Sequence, residues 1–512
     1  MRARFGRSVA AGLGGLVVLA LAVSGCGTGG DADTGGDSDS TLTMAHDGNT
    51  QINFDPGVGS ITVTTYLAPV YDTLLRRLSD GSYEPNLATE WGYESPTEFS
   101  MTLRDDVTFA DGTPLDAAAV VANLENVKNG TGPLASDFAT IDSIEAVDDN
   151  RVVITLSTPN PSLPLTLSGV SGMIANPAAI EGGELATQPD GSGPYEYLAD
   201  ESISNDTYVY EKRDDYWASD DYPYDRIEVK VIPDAAAAVN ALESGQVDMV
   251  ELGTAGDIVR VENAGLDFTG ASNNVWTLHL EDRAGELVPA LGEVEVRQAL
   301  NHAIDRAAIV ESVNQGLGSP TTQLVKPGMA GYDETLNNVY PYDPEMAREL
   351  LAEAGYPDGF EMDAVSISLA DTQVQALVGY LAEVGVTLNV VNVPPDQYIP
   401  SILSGEYPTA FLPYGMVDAY FDFGQLVTPE GGFNPMGSSD EQINDLYAEA
   451  GSATNDEERA AILEQLNARV VELAWFLPMF NDAYGYALSD DVTGVEWQTF
   501  RPPMYYQWAP AD

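Results

Sequence analysis

The residues able to do chemistry in this chain are unevenly supplied. Its 512 residues include 80 Asp and Glu against 21 Lys and Arg, with three His and one Cys. His46, His279 and His302 lie far apart and show no metal-ligand spacing, so each reads as structural or exposed, and no metal site is expected. The single cysteine, Cys26, excludes an internal disulfide and any Cys-rich metal centre. So many acids make carboxylate pairs of the glycosidase kind unavoidable by chance. The patterns G-x-S-x-G, H-E-x-x-H and the P-loop are all missing. An anchored extracellular hydrolase is therefore the weaker reading, and no cofactor is implied.

One carboxylate stands in distinctive company. Asp418 is flanked by Tyr414, Tyr420, Phe421 and Phe423. A carboxylate among aromatic faces suits an ammonium group, through charge pairing and a cation–π attraction of about 0.5–2 kcal/mol. The other reading is a solvated loop acid beside core aromatics. No Lys, Arg or His occurs anywhere in residues 349–458. A free carboxylate on a ligand, desolvated without a partner, is costly. Lys326, Arg283 or another first-lobe residue has to supply the counter-charge. This favours longer peptides, cationic compounds or neutral sugars over short free peptides. His46-Asp47-Gly48, after an apparent first strand, is a candidate rim loop, and Trp276 with Asn273 and Asn274 is either an aromatic wall or part of a core strand.

These residues must be positioned by a body that begins well inside the chain. Arg2, Arg4 and Arg7 precede an apolar stretch over residues 9–23, too short for a comfortable membrane span, and then Ser24-Gly25-Cys26. That order is a signal peptide over residues 1–25. The run Leu21-Ala22-Val23-Ser24-Gly25-Cys26-Gly27 resembles a bacterial lipobox, which implies acylation of Cys26. Burying acyl chain gives about 0.8 kcal/mol per CH₂, so one chain binds only marginally and several are needed. Residues 26–40 have no large apolar side chain after Cys26 and read as a flexible tether with a reach of roughly 20 Å. The net charge of −59, more negative once the three leading Arg are removed, repels nucleic acid and anionic lipid.

The body alternates strand and helix patterns. Strands are expected at residues 41–45, 98–103, 151–156, 227–231, 247–250 and 387–393. Helices are expected from Thr113 as cap and Pro114 at the first turn through residue 127, and over 233–243, 296–312, 344–353 and 456–473. The order β-α-β over residues 227–250 favours parallel pairing.

Several segments resemble the family 5 extracytoplasmic solute-binding proteins that serve ABC importers of peptides, nickel and some sugars. They are Val70-Tyr71-Asp72-Thr73-Leu74-Leu75, Pro85-Asn86-Leu87-Ala88, residues 103–115 (LRDDVTFADGTPL), and Gly191-Ser192-Gly193-Pro194-Tyr195. The Val296-Arg297-Gln298-Ala299-Leu300-Asn301 helix with Ala303-Ile304-Asp305-Arg306, and Tyr342-Asp343-Pro344 through Tyr356, complete the series.

The resemblance implies an α/β, two-lobed periplasmic-binding-protein-like fold of mixed sheets flanked by helices. The first lobe would be residues 41–284 plus 484–512, with an extra subdomain inserted at about 71–176; the second would be 285–483. The chain would cross twice between lobes, and ligand would stabilise closure by touching both. Asp305 and Arg306 are expected to stabilise a helix surface. In peptide-binding relatives an acid of the second lobe pairs with the ligand's amino terminus, and Asp418 is the best match. The candidate ligand contacts are thus Asp418, Trp276, Asn274, Tyr414, Tyr420, Phe421 and His46. The implied partners are a small-molecule or peptide ligand, the permease subunits of an ABC transporter, and the membrane through a lipid on Cys26, on the outer face of the cytoplasmic membrane. A monomer that is not an enzyme is implied, with a ligand-sensing lipoprotein as the alternative.

Overall fold

A computed structural model describes residues 40–48, 52–79, 81–272, 274–453, 455–496 and 505–511. Cys26, the tether up to residue 39 and Asn273 lie outside them.

Alternation of apolar side chains along Thr41–His46 buries Leu42 and Met44 on one face and Ala45 on the other. Such a strand needs cover on both sides and sits in the middle of a sheet. It pairs in parallel with Arg226–Val231 on one edge and Met249–Leu252 on the other. The expected β-α-β unit is therefore present, with the first strand inserted between its two strands. The seven-stranded sheet is completed by Tyr195–Tyr197, Thr207–Lys212, Asp267–Ala271 and Tyr484–Leu488, so the C-terminal segment returns to it.

A second, six-stranded sheet holds Val275–Leu280, Ser319–Pro320, Glu361–Ser366, Thr387–Asn392, Thr409–Tyr414 and Phe476–Asn481. Its two faces carry separate apolar cores, one under the helices Val294–His302, Pro344–Glu353 and Asp371–Glu383, the other under Ala419–Leu426, Glu441–Ser452 and Asp456–Glu472. A four-stranded antiparallel sheet (Ala88–Ser95, Glu98–Leu103, Arg151–Leu156, Ile141–Asp148) with helix Ala117–Lys128 forms the inserted subdomain, whose core is continuous with that of the first lobe.

Four expectations are corrected. Val275–Leu280, expected in the first lobe, pairs instead inside the second sheet, with Thr409–Tyr414 and Phe476–Asn481. Asp116, not Thr113, caps the first long helix, accepting from Ala119 N, while Pro114 bridges back to Thr108. The helix expected over residues 296–312 is two helices, since Asp305 caps a new one by accepting from Ala308 N. Arg306 is buried rather than superficial. Its guanidinium donates to the carbonyls of Pro478, Asn301 and Tyr340 and to Asn301 Oδ1, pinning helix to sheet.

Gly193 shows why its turn needs glycine. A Cβ there would lie 2.4 Å from the Val70 carbonyl carbon and 2.6 Å from Tyr71 N, so the Gly191-Ser192-Gly193 turn packs directly on the backbone of the Val70-Tyr71 segment.

Candidate functional site

In open α/β sheets ligands bind outside the carboxyl ends of parallel strands. Here Thr41–His46 and Met249–Leu252 run side by side, and their ends bring His46 to Glu251. His46 Nε2 is 3.9 Å from Glu251 Oε2, and its Nδ1 is 3.3 Å from Asp47 Oδ1. Glu251 keeps 24% of its side-chain surface open. The protein crowding it still raises its carboxyl above the ordinary value, partly opposed by His46 and a hydrogen bond from Tyr484. The carboxyl is thus crowded by protein and still reached by solvent.

Two tyrosines close around it. Tyr484 lies against Gly253, where a Cβ would fall 2.2 Å from the ring, so only glycine lets the ring approach Glu251. Tyr66 is fully buried, with its ring edge-on to His46 at 5.1 Å between centroids, and its hydroxyl has no hydrogen-bond partner.

The two crossings between the sheets adjoin this group. The chain leaves the first sheet after Asp267–Ala271 and returns between Phe476–Asn481 and Tyr484–Leu488. Asp482 ties the two crossings together. Its carboxylate accepts from Asn274 N (2.8 Å), Asn274 Nδ2 (2.9 Å) and Trp276 Nε1 (3.2 Å), while its own N–H donates to Asn274 O (3.0 Å). Trp276 also stacks on Phe480 at 6.0 Å, and lines a cavity of about 210 Å³ with Thr254, Thr372, Gln373 and Asp482 that draws on both lobes.

The second lobe contributes the loop after Thr409–Tyr414. Asp422, buried on the helix that follows, accepts from Tyr414 Oη (3.0 Å), Val417 N (2.7 Å) and Asp418 N (2.9 Å), folding the loop around its carboxylate. Burial pushes its carboxyl up to about 7 despite these bonds. Asp418 is the helix cap: Oδ1 accepts from Phe421 N (2.9 Å) and also from Ser162 Oγ of the first lobe (2.7 Å). Beside it Arg77 Nη2 donates to Val417 O (2.6 Å), a second contact between the lobes. The two lobes therefore meet away from the hinge as well as at it.

The sequence-predicted residues thus fall into groups. His46, Asn274 and Trp276 converge on the hinge through Glu251, Tyr484 and Asp482. Tyr414, Asp418 and the half-buried Phe421 share the second-lobe loop. Tyr420 instead stacks on Tyr447 (4.5 Å, 8°), inside the helical core. Arg283, expected as a first-lobe counter-charge, follows a strand of the second sheet and is buried there; it donates to Asn434 and lies 4.6 Å over Trp475, and burial lowers its guanidinium to about 10. Lys326 Nζ donates to Ser272 O at the first crossing (3.3 Å). Sequence reasoning missed Glu251, Tyr66, Tyr484 and Asp482. An acid inside the short apolar strand Met249–Leu252, which Gly253 follows, was the available signal for Glu251.

The family model for bacterial extracellular solute-binding proteins, family 5 Middle, matches residues 82–433. The chain belongs to this family. Among family 5 relatives, it is 28% identical over 463 residues to heme-binding protein A of Haemophilus influenzae, covering 83% of this chain and 80% of that protein. It is 27% identical over 425 residues to the glutathione-binding protein GsiB of Shigella dysenteriae serotype 1, covering 77% and 80%. Among solved structures, the PBP AgaA from A. tumefacien R10 in complex with agropinic acid superposes with a TM-score of 0.77 at 25% identity, over 92% of this chain and 99% of that one. Family 5 proteins are extracellular solute binders, and among the described residues of this member no helix is long and apolar enough to cross a membrane.

Proposed function

We propose that this chain captures one small solute per molecule in the cleft between its lobes, by closing about a hinge where Asn274 and Asp482 join the two crossings, and hands it to the permease of an ABC importer without chemical turnover. Family membership supports the class of function. The observation that carries the mechanism is the pairing of Asn274 with Asp482, which makes both crossings one hinge while Ser162 and Asp418 meet across the lobes. Closure of this kind is stabilised by any ligand that touches both lobes only when they are shut. His46, Asn274 and Trp276 stand on the hinge side of the cleft; Asp418, Tyr414 and Phe421 face it from the second lobe. Acylation at Cys26 would hold a monomer at the outer face of the cytoplasmic membrane. The relatives are named for solutes as different as heme, glutathione and agropinic acid, so membership alone selects no ligand.

Thermal-shift and solution-scattering measurements on the full mature chain test the reading. The panel comprises oligopeptides, polyamines, oligosaccharides, heme and glutathione. At least one compound is expected to raise the melting temperature and reduce the radius of gyration with one-to-one stoichiometry. If no compound does either, solute capture by closure is wrong.

A further inference from the structure

Glu251, Tyr66, Tyr484 and His46 belong to four separate parts of the chain and meet at the carboxyl ends of two parallel strands. Three features of this meeting point call for a ligand. First, the basic side chain beside Glu251 is the His46 imidazole at 3.9 Å, and a second acid, Asp47, lies 3.3 Å from the same ring. The local balance is therefore negative, inside a molecule of net charge −59 whose field draws cations. Second, the hydroxyl of Tyr66 is completely buried without a partner, within electrostatic reach of both Asp47 and Glu251. Leaving such a group unpaired is costly, and a partner supplied from the cleft removes the penalty. Third, Tyr484 is brought onto Glu251 by a glycine that no other residue can replace without moving the ring. Among the described residues no three His, Cys, Asp or Glu side chains approach one another as metal ligands do, so the chemistry points to an organic cation.

Resting on the solute-capture reading, we propose that the first lobe carries the charge-recognition subsite. There Glu251 Oε accepts a hydrogen bond from a primary ammonium group of the solute, Tyr66 Oη, sealed off in this structure, accepts another once the side chains part to admit the ligand, and the Tyr484 ring stands beside it. A primary ammonium has three donors, enough for the carboxylate, the tyrosine oxygen and one water or ligand oxygen. Asp418 is the less suitable partner, because its Oδ1 already accepts from Phe421 N and Ser162 Oγ.

The test is calorimetric titration of the full mature chain with spermidine and with trialanine, each beside its N-acetylated counterpart, for wild type, Glu251→Gln and Tyr66→Phe. At least one free amine is expected to bind about tenfold or more tightly than its acetylated form, as for a charge-assisted hydrogen bond. Glu251→Gln should abolish that preference, while its melting temperature stays level or rises because a crowded charge is gone. Tyr66→Phe should weaken the amine by about threefold. Equal binding of amine and acetylated form, or unchanged amine affinity in Glu251→Gln, overturns the proposal. If neither amine binds but a neutral or anionic solute of the wider panel does, the ammonium subsite is wrong and solute capture stands; if nothing in either panel binds, both fall.

Discussion

Ser162 and Asp418 lie 256 residues apart in sequence and 2.7 Å apart in space, one in the first lobe and one capping a helix of the second. On the proposed capture by closure, this bond forms as the lobes shut. Replacing Ser162 by Ala removes it and leaves the Asp418 cap on Phe421 intact. A hydrogen bond exchanged for water is worth about 1 kcal/mol, so the closed-to-open ratio should fall roughly fivefold. Solution scattering of the ligand-free variant should show a larger radius of gyration, and solute affinity should fall by a similar factor with little change in melting temperature. An unchanged radius and affinity would show that this contact does not hold the lobes.

Asp482 is the corresponding element at the hinge. Asp482→Ala strands the N–H and Nδ2 of Asn274 and the Nε1 of Trp276. Each unsatisfied donor that stays buried costs about 1–3 kcal/mol, with some relief from water reaching the half-buried Asn274 and Trp276. Stability should drop by roughly 2–4 kcal/mol in urea unfolding. Asp482→Asn, which retains one acceptor oxygen, should lose less. If both variants unfold like the wild type, the crossings are held by the two sheets alone.

Much of this architecture was legible in local chemistry. Asp343 and Pro344 mark a helix start, and the helix Pro344–Glu353 has those bounds, with Asp343 accepting from Glu345 N and Met346 N. The strand at residues 227–231 alternates as a half-buried strand should. What local pattern could not supply was partnership across the chain. Trp276 on an apolar strand looks the same whether it enters the first sheet or the second; only pairing with Pro413 and Phe480 decides, and those lie more than a hundred residues away. The site was half legible for the same reason. His46 and Trp276 could be suspected from type and position, but Glu251, Tyr66 and Tyr484 matter because three distant segments converge. An acid in a chain with 80 of them carries no individual signal.

The lipid anchor is testable independently of the structure, since Cys26 lies outside the described residues. Cys26→Ser removes the only thiol in the chain. Expressed in its own host, the wild type should partition into detergent and carry the added mass of acyl groups on a mature N-terminal cysteine, whereas the variant should be unacylated. Two or more acyl chains bind a bilayer far more firmly than one. Release of the wild type into the aqueous phase without added mass would make residues 1–25 an ordinary secretion signal.

Asp422 makes stability depend on pH in a direction that can be worked out. Its carboxyl is pushed up to about 7 by burial, against an ordinary value of about 3.9. Between these values the folded protein holds a proton that the unfolded chain releases. The contribution to stability is therefore full below about pH 4, declines through the window, and is lost above about pH 7; the upper bound of the change is about 4 kcal/mol. Burial also raises Asp72, Asp137, Asp190, Asp248 and Glu251, so the wild type as a whole should be more stable at pH 5.5 than at pH 8. Asp422→Asn isolates one part of that slope. The amide oxygen can still accept from Val417 N and Asp418 N while its NH₂ turns to Tyr414 Oη, so the loop should keep its shape. The variant should match the wild type near pH 5 and exceed it near pH 8, measured by urea unfolding at both values. A difference between the two proteins that is the same at both pH values would mean that Asp422 does not titrate in this range, and that its three hydrogen bonds outweigh the cost of burying its charge.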